Sequence, residues 1–332
     1  MVQNSRTRGI WFDAVAAAVC GLAICAATGV AGAETITSWG NNQDNIVSNT
    51  PAGDDFIAIA AGVYHSVALH SDGSIAAWGA DDFGQVANTP TGTGFETIAA
   101  GYYHSLALTE LGEIVSWGDN DDYFGQISGT PSGAGFLAIA AGDNHSLALT
   151  ADGAIVGWGD DSAGQASGGP GGTGYKAIDG GAFHSLAIAA DGSVVGWGYD
   201  QQGETVSPSG DDFQAVAAGD FFSIALREDG TIIAWGVDNF GQVSGAPTDG
   251  GYVAIAAGSA HGVALRADGS IVAWGDDTLR QVRDFPTGTG YAAISAGGGF
   301  HSMALTPEPM SLAVLLAGVP LVLARRRRLR RA

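Results

Sequence analysis

Six histidines occupy one repeated position along the chain, and five of them are followed by serine. They are His65, His104, His145, His184, His261 and His301. Histidine serves as a general base or a metal ligand, and a serine beside a base can act as a nucleophile. The seventh copy of the position carries Phe222, and Gly262 replaces the serine in one copy. Because six copies cannot all be catalytic and an apolar ring replaces one, the pattern favours a structural role.

Other signatures of catalysis or metal binding are missing from the sequence. It contains no Gly-x-Ser-x-Gly elbow, no His-Glu-x-x-His motif and no pair of metal-ligating cysteines. Asp119, Asp121 and Asp122 could bind Ca²⁺ weakly, but they lack the spacing of a calcium-binding loop. Their interpretation as solvated acidic residues of a turn is therefore favoured. The sequence therefore predicts no enzymatic activity, no cofactor and no metal site.

The elements that position these residues form a repeat marked by Trp-Gly. The seven tryptophans are Trp39, Trp78, Trp117, Trp158, Trp197, Trp235 and Trp274, separated by 38 to 41 residues. A period near forty with one large aromatic residue per unit is typical of radial β repetition, where the tryptophan can fill the wedge between neighbouring units. The tryptophans are thus predicted to be structural.

One unit shows the predicted strands. Ile57–Gly62, His65–Leu69 and Ser74–Trp78 have strand patterns, Asp72-Gly73 is a hairpin signal, and a short fourth strand is expected after Gln85. The later hairpin signals are Asp152-Gly153, Asp191-Gly192, Asp229-Gly230 and Asp268-Gly269, with Leu111-Gly112 as a variant. The turn glycine Gly84 also recurs, except at Asn45 and Arg280. Because arginine tolerates a left-handed backbone poorly, the turn at Arg280 is expected to differ.

The units resemble those of a known family. The segments Ala-Ala-Gly-x-x-His-Ser-x-Ala-Leu, Asp-Gly-x-Ile-x-x-Trp-Gly and Gly-Gln, across residues 34–306, are similar to the repeats of the regulator of chromosome condensation family. The resemblance implies an all-β fold, a seven-bladed β-propeller. Such propellers bind very different partners, so the resemblance implies little about activity.

The two ends of the repeat region complement each other. The first Trp-Gly lacks a preceding His-containing half, and the last such half, Ala296–Leu305, lacks a following Trp-Gly. We therefore expect the N-terminal strand, Thr35–Trp39, to pair with the strand that contains Met303 and so close the propeller. The predicted helical signal and membrane segments would lie outside this ring.

The N-terminal segment predicts export. Residues 1–33 have a basic start, an apolar run and the small-residue site Ala31-Gly32-Ala33, so a signal peptide cut between Ala33 and Glu34 is favoured over an N-terminal membrane anchor. Both cysteines, Cys20 and Cys25, lie in this segment. The processed domain would hold no disulfide.

The C-terminal segment, residues 307–332, predicts sorting at the cell envelope. Pro307-Glu308-Pro309 precedes the apolar stretch Met310–Ala324, and six arginines follow between positions 325 and 331. This order resembles the PEP-CTERM sorting signal of Gram-negative bacteria, which implies recognition by an exosortase-type enzyme. Fifteen apolar residues interrupted by Pro320 are short for a span, so transient anchoring is favoured over an ordinary tail anchor.

Charge excludes one class of partner. The formal net charge is −21, and residues 34–306 contain 5 basic and 32 acidic residues, a net charge of −27. Such a surface repels phosphate backbones and anionic lipids. We expect no nucleic-acid partner and membrane contact only through the leader and the tail.

The positions that vary between units suggest a binding face. Between the Ala-Gly and the histidine, the candidate residues are Tyr64, Tyr102, Tyr103, Asn144, Phe183, Phe221 and Phe300, with Phe83, Tyr123, Phe124 and Phe240 at the rim. Because strand directions alternate, these loops and those after Trp-Gly should share one face, opposite the hairpins and both chain ends. Aromatic residues among Asp and Asn suit a protein or glycan contact, although several rings could pack between blades instead.

The sequence therefore predicts an exported, envelope- or matrix-associated binding propeller without catalysis. Its partner would be an extracellular protein or an exopolysaccharide. An inhibitor of secreted enzymes resembling the β-lactamase-inhibiting propellers is the alternative, and a polysaccharide-active enzyme is a third class.

Overall fold

The structure, a computed structural model, describes residues 34–119 and 124–307 as an all-β fold. The predicted leader, residues 1–33, lies outside these ranges, as do Glu308, Pro309 and the rest of the predicted sorting signal. Within the described ranges, no helix has the length and apolarity that crossing a bilayer requires.

The strands fall into three sets according to their place in the repeat. The first set, rich in small residues, comprises β2 (Phe56–Ala61), β5 (Phe95–Ala100), β8 (Phe136–Ala141), β11 (Ala177–Gly180), β14 (Phe213–Ala218), β17 (Tyr252–Ala257) and β20 (Ala293–Gly297). The second set begins at the histidine position and comprises β3 (His65–His70), β6 (His104–Thr109), β9 (His145–Thr150), β12 (His184–Ile188), β15 (Phe222–Arg227), β18 (His261–Arg266) and β21 (His301–Pro307). The third set ends in Trp-Gly and comprises β1 (Glu34–Gly40), β4 (Ile75–Gly79), β7 (Ile114–Gly118), β10 (Ile155–Gly159), β13 (Val194–Gly198), β16 (Ile232–Gly236) and β19 (Ile271–Gly275).

One strand of each set joins an antiparallel three-stranded sheet with the second-set strand in the middle. Six sheets consist of strands that are consecutive in the chain. In the remaining sheet, β1 lies beside β21, with Thr35 opposite Thr306 and Ser38 opposite Met303. The two ends of the described chain therefore contribute to the same sheet.

The predicted fourth strand after Gln85 is wrong for the described residues. The sheets stop at three strands, and turns follow each Trp-Gly segment. The Asp81 carboxylate explains this, because it accepts the backbone N–H groups of Val86 and Ala87 at 2.9 and 2.8 Å. Donors used by their own loop cannot extend a β ladder.

The core lies between neighbouring sheets. Each of seven buried apolar clusters combines residues of two successive sheets; one of them joins Ile59 and Trp78 to Met303 in the sheet that holds both chain ends. The first-set strands surround a central cavity of about 70 Å³. Small residues such as Ala60 and Ala99 fit there because seven sheets converge on it.

The tryptophans link each sheet to the preceding unit. Each indole N–H donates to a loop carbonyl at 2.7 to 3.0 Å, and the acceptors for Trp78, Trp117, Trp158, Trp197, Trp235, Trp274 and Trp39 are respectively Ile46, Gln85, Gln126, Gln165, Glu204, Gln242 and Gln281. The Trp39 bond connects the N-terminal strand to a loop 242 residues away. Each tryptophan side chain packs in an apolar cluster that its own sheet shares with the preceding one.

The expectation of a different turn at Arg280 is wrong. Arg280 has φ 69°, close to the 77° of Gly84, and its N–H donates to Asp277 as Gly84 donates to Asp81. The Gln281 side chain also accepts the N–H of Leu279. These loop contacts fix the backbone, so the arginine is held in a left-handed conformation.

Candidate functional site

The repeated histidines lie between sheets and contact serines of the neighbouring unit. Each histidine Nε2 lies 2.6 to 2.9 Å from a serine Oγ; the pairs are His65–Ser105, His104–Ser146, His145–Ser185, His184–Ser223, His261–Ser302 and His301–Ser66. The seventh link is missing because Phe222 replaces the histidine and Gly262 replaces the serine of the next unit. Phe222 and Gly262, the two exceptions to the sequence pattern, therefore occupy the two positions of a single His–Ser contact.

These histidines are not accessible to a substrate. All six are at most 1% exposed. Burial lowers the pKa of His65, His145 and His301 to about 3 and that of the other three to about 4, so the rings are neutral near pH 7. The glycine before each ring gives it room: a Cβ at Gly142 would lie 2.3 Å from His145 Cε1. The His–Ser pairs therefore join sheets rather than form a catalytic site.

The variable loops and the loops after Trp-Gly are neighbours, as the N–H of Ala80 donates to Tyr64 O and that of Asp119 to Tyr103 O. We call this end of the sheets the loop face and the opposite end the hairpin face. Tyr64, Phe83, Tyr102 and Tyr103 meet on the loop face and form the tyrosine cluster. The ring centroids of Tyr102 and Tyr103 are 4.4 Å apart, and those of Phe83 and Tyr103 are 4.6 Å apart.

The hydroxyl groups of Tyr64 and Tyr102 are 3.2 Å apart. The three tyrosines are half-buried and Phe83 is 44% exposed, so the cluster packs internally and still reaches solvent. These rings therefore pack against one another and leave part of their surface open to solvent.

A second group, the phenylalanine cluster, contains Phe183, Tyr199 and Phe221. The Phe183 and Phe221 centroids are 6.0 Å apart, and the Tyr199 centroid lies 5.8 Å from that of Phe221. Phe221 is 36% exposed. Sequence reasoning missed Tyr199, although the signal was present, because Tyr199 follows Trp197-Gly198 in a loop assigned to this face.

The remaining candidates lie apart from these rings. Asn144 is half-buried in the loop before β9, in the unit between those of the two clusters, and its carbonyl accepts the N–H of Asp160. Phe300 is half-buried with φ 62°, and its ring contacts neither cluster in the part of the chain that the structure describes. Phe240 is 54% exposed, Phe124 is half-buried, and Tyr123 is outside the described ranges.

Acidic residues on the loop face divide into two groups. One group holds its own loop: Asp81, Asp161, Asp200, Asp238 and Asp277 each accept the backbone N–H five residues later. The other group lies around the tyrosines. The Tyr64–Tyr102 hydrogen bond, burial, and the charges of Asp44 and Asp143 raise the pKa of Tyr64 to about 12.

Three carboxylates lie at the central cavity, those of Asp143, Asp179 and Asp220. Burial raises the pKa of Asp143 to about 8, and the Asp220 charge adds to the shift. In residues 34–119 and 124–307, no group of three or more His, Cys, Asp or Glu is arranged to hold a metal ion. Asp121 and Asp122, two members of the weak calcium candidate, lie outside these ranges.

Comparison with known proteins identifies the repeat. The family profile described as "Regulator of chromosome condensation (RCC1) repeat" matches residues 56–85, 95–126, 136–165, 175–204, 213–242 and 252–281. A search of curated protein sequences gives no significant match.

Solved structures show the same fold. Prp20p of Saccharomyces cerevisiae, described with its binding to Gsp1p and histones, is 19% identical over 87% of this chain and 95% of its own, with a TM-score of 0.70. Human WBSCR16 is 16% identical over 83% of this chain and 100% of its own, with a TM-score of 0.66. The ectodomain of the receptor kinase CR4 from Physcomitrella patens is 21% identical over 74% of this chain and 69% of its own, with a TM-score of 0.59. At these identities the likeness shows a β-propeller fold alone.

Proposed function

This chain belongs to the family of RCC1-repeat proteins, and from that premise we propose that residues 34–306 form a closed seven-bladed propeller that binds an extracellular partner through its loop face. The pairing of β1 with β21 and the Trp39–Gln281 hydrogen bond support closure. In a closed ring, each sheet buries both faces against its neighbours, and no apolar face is left without a partner.

The observation that carries the binding role is the presence of two aromatic clusters at positions that the repeat leaves free to vary. Phe83 and Phe221 expose 44% and 36% of their surface, although neither is needed for the scaffold contacts made by the tryptophans and histidines. Aromatic side chains that are half-packed and half-exposed are typical anchors of protein and glycan interfaces. The partner is therefore an extracellular protein or an exopolysaccharide.

Export and sorting complete the proposal. Residues 1–33 act as a signal peptide cut after Ala33, and residues 307–332 act as a sorting signal that an exosortase-type enzyme recognises. Glu34 lies opposite Pro307, at the strand ends where the other sheets have their hairpins, such as the turn between His70 and Ser74. The tail would thus leave from the hairpin face, and the loop face would point away from the envelope.

Affinity capture from the extracellular matrix of the producing organism tests the binding role. The domain of residues 34–306 is compared with a Tyr102→Ala/Tyr103→Ala/Phe183→Ala variant. A matched control, Leu111→Ala/Leu137→Ala/Val253→Ala, removes three side chains that are 53 to 72% exposed outside the loop face. We expect capture of matrix material by the wild type and the control, and at least tenfold less by the loop-face variant. Equal capture by all three would reject the loop face as the binding surface.

A further inference from the structure

The environment of the tyrosine cluster indicates the chemistry of its partner. Carboxylates reach the cluster from three loops: Asp44 follows β1, Asp82 follows β4, and Asp143 precedes β9. Their charges act on the phenols, because Asp44 and Asp143 raise the pKa of Tyr64 and Asp82 contributes to the raised pKa of Tyr103, which burial causes in the first place. The backbone geometry agrees, because Asp82 directly precedes Phe83 in the loop after β4 and the N–H of Tyr102 donates to Asp143 O at 2.9 Å.

The domain supplies no cation to this place. Of its five basic residues, Arg227, Arg266, Arg280 and Arg283 form ion pairs with Asp212, Asp249, Asp284 and Asp277. Lys176 lines a groove between hairpins on the other face. Among the described residues, no salt bridge involves Asp44, Asp82 or Asp143.

These acids also have no part in holding their loops. The loop-holding role belongs to Asp81 and its equivalents, which accept backbone N–H groups. No side-chain hydrogen bond of Asp82 or Asp143 occurs within the described ranges. Negative charge without a structural role, placed beside exposed π faces, is the arrangement that attracts an ammonium or guanidinium group.

From these contacts we propose that the tyrosine cluster is a docking site for a lysine- or arginine-bearing segment of a partner protein. The cationic group lies against the outer face of Tyr103 and Phe83, with the exposed Asp44 and Asp82 neutralising its charge. Asp143 lines the central cavity, and because burial raises its pKa to about 8 it is largely protonated at pH 7 and takes no part. The inference rests on the proposed binding role of the loop face and selects a cationic protein over a neutral glycan. The phenylalanine cluster has no part in it.

Calorimetric titration with defined peptides tests the site. The probes are a decapeptide of alternating glycine and lysine, its arginine counterpart and its glutamate counterpart. We expect the two cationic peptides to bind at 50 mM salt with one strong site, and the glutamate peptide not to bind. Raising salt to 200 mM weakens binding several-fold, because the partly exposed charges become screened.

Two matched comparisons between variants locate the site. Tyr103→Leu removes the π face and should weaken lysine-peptide binding about tenfold, whereas Tyr103→Phe keeps the face and should retain the affinity. Asp44→Asn/Asp82→Asn should weaken binding at least fivefold. Glu110→Gln/Glu228→Gln removes the same charge from exposed hairpin positions and should change it less than twofold. Thermal melting of each variant controls for folding.

Any of four results would overturn the proposal. If the glutamate peptide binds as well as the lysine peptide, or if Tyr103→Leu leaves binding unchanged, the cluster is not a cation site. If the Glu110→Gln/Glu228→Gln control weakens peptide binding as much as Asp44→Asn/Asp82→Asn does, the peptide is attracted by the overall negative charge of the domain and not by the tyrosine cluster. Matrix capture that depends on Tyr102, Tyr103 and Phe183 but persists in 500 mM salt would retain the proposed function and reject the cationic partner.

Discussion

Acid should unfold this domain at a pH well above that at which carboxylates protonate. The six inter-sheet histidines are buried and neutral, and burial lowers each pKa from 6.5 to about 3 or about 4. In the unfolded chain they ionise near pH 6.5. Their contribution to stability is therefore complete above pH 7 and is lost as pH falls below 6.5, because protons bind the unfolded chain preferentially.

The size of the effect follows from the number of rings. At pH 5 each histidine loses about 2 kcal/mol relative to neutral pH, and six together lose about 12 kcal/mol. That is comparable to the whole free energy of unfolding of an ordinary domain, about 5 to 15 kcal/mol. The raised pKa of Asp143 acts in the opposite direction and offsets part of the loss. The midpoint of acid unfolding is expected near pH 5.

Urea unfolding at intervals between pH 7.5 and 4.5 measures this. The free energy of unfolding should fall with a slope that corresponds to a net uptake of about five protons near pH 5, six by the histidines less one released by Asp143. A His65→Phe/Ser105→Gly variant copies the natural Phe222 and Gly262 pair and should take up one proton fewer. Full stability down to pH 4, with uptake of one proton or none, would show that the buried rings do not control acid stability.

Three further predictions concern single contacts. Ser105→Ala leaves the buried His65 ring without its partner and should cost about 1 to 3 kcal/mol in urea unfolding, whereas Ser132→Ala at an exposed loop position should cost less than about 0.5. Arg280→Gly should raise the free energy of unfolding by about 1 kcal/mol, since glycine adopts φ 69° without strain; a loss of stability would show that the arginine is needed there. Trp39→Phe and Trp197→Phe should each cost about 2 to 4 kcal/mol, and a much smaller cost at Trp39 would show that the terminal link contributes little.

Much of the fold was predictable because each unit repeats the same local signals. Asp-Gly hairpins, alternating apolar residues and Trp-Gly marked the three strands, and the same turn and pattern physics acts in every unit. The fourth strand was mispredicted since side chains such as Asp81 use the backbone donors that a strand would need. The Arg280 turn was mispredicted since contacts from Asp277 and Gln281 override the intrinsic preference of arginine.

The candidate site was predictable only in part. Strand alternation correctly suggested that the variable loops and the Trp-Gly loops adjoin, but it could not show that Tyr64, Tyr102 and Tyr103 meet while Phe300 stands apart. Those groupings depend on the twist and spacing between sheets, which a single sequence does not encode in any short motif. The His–Ser pairs were missed for a similar reason, since the partners lie 39 to 42 residues apart in five pairs and 235 residues apart in His301–Ser66.

Hydrogen–deuterium exchange of the domain with and without captured matrix material tests the binding claim most directly. The account predicts slower exchange in the loops around Tyr102–Tyr103 and Phe183, with the hairpins at Asp72-Gly73 and Asp191-Gly192 unchanged. Protection confined to the hairpins, or no protection at a concentration that saturates binding, would contradict it.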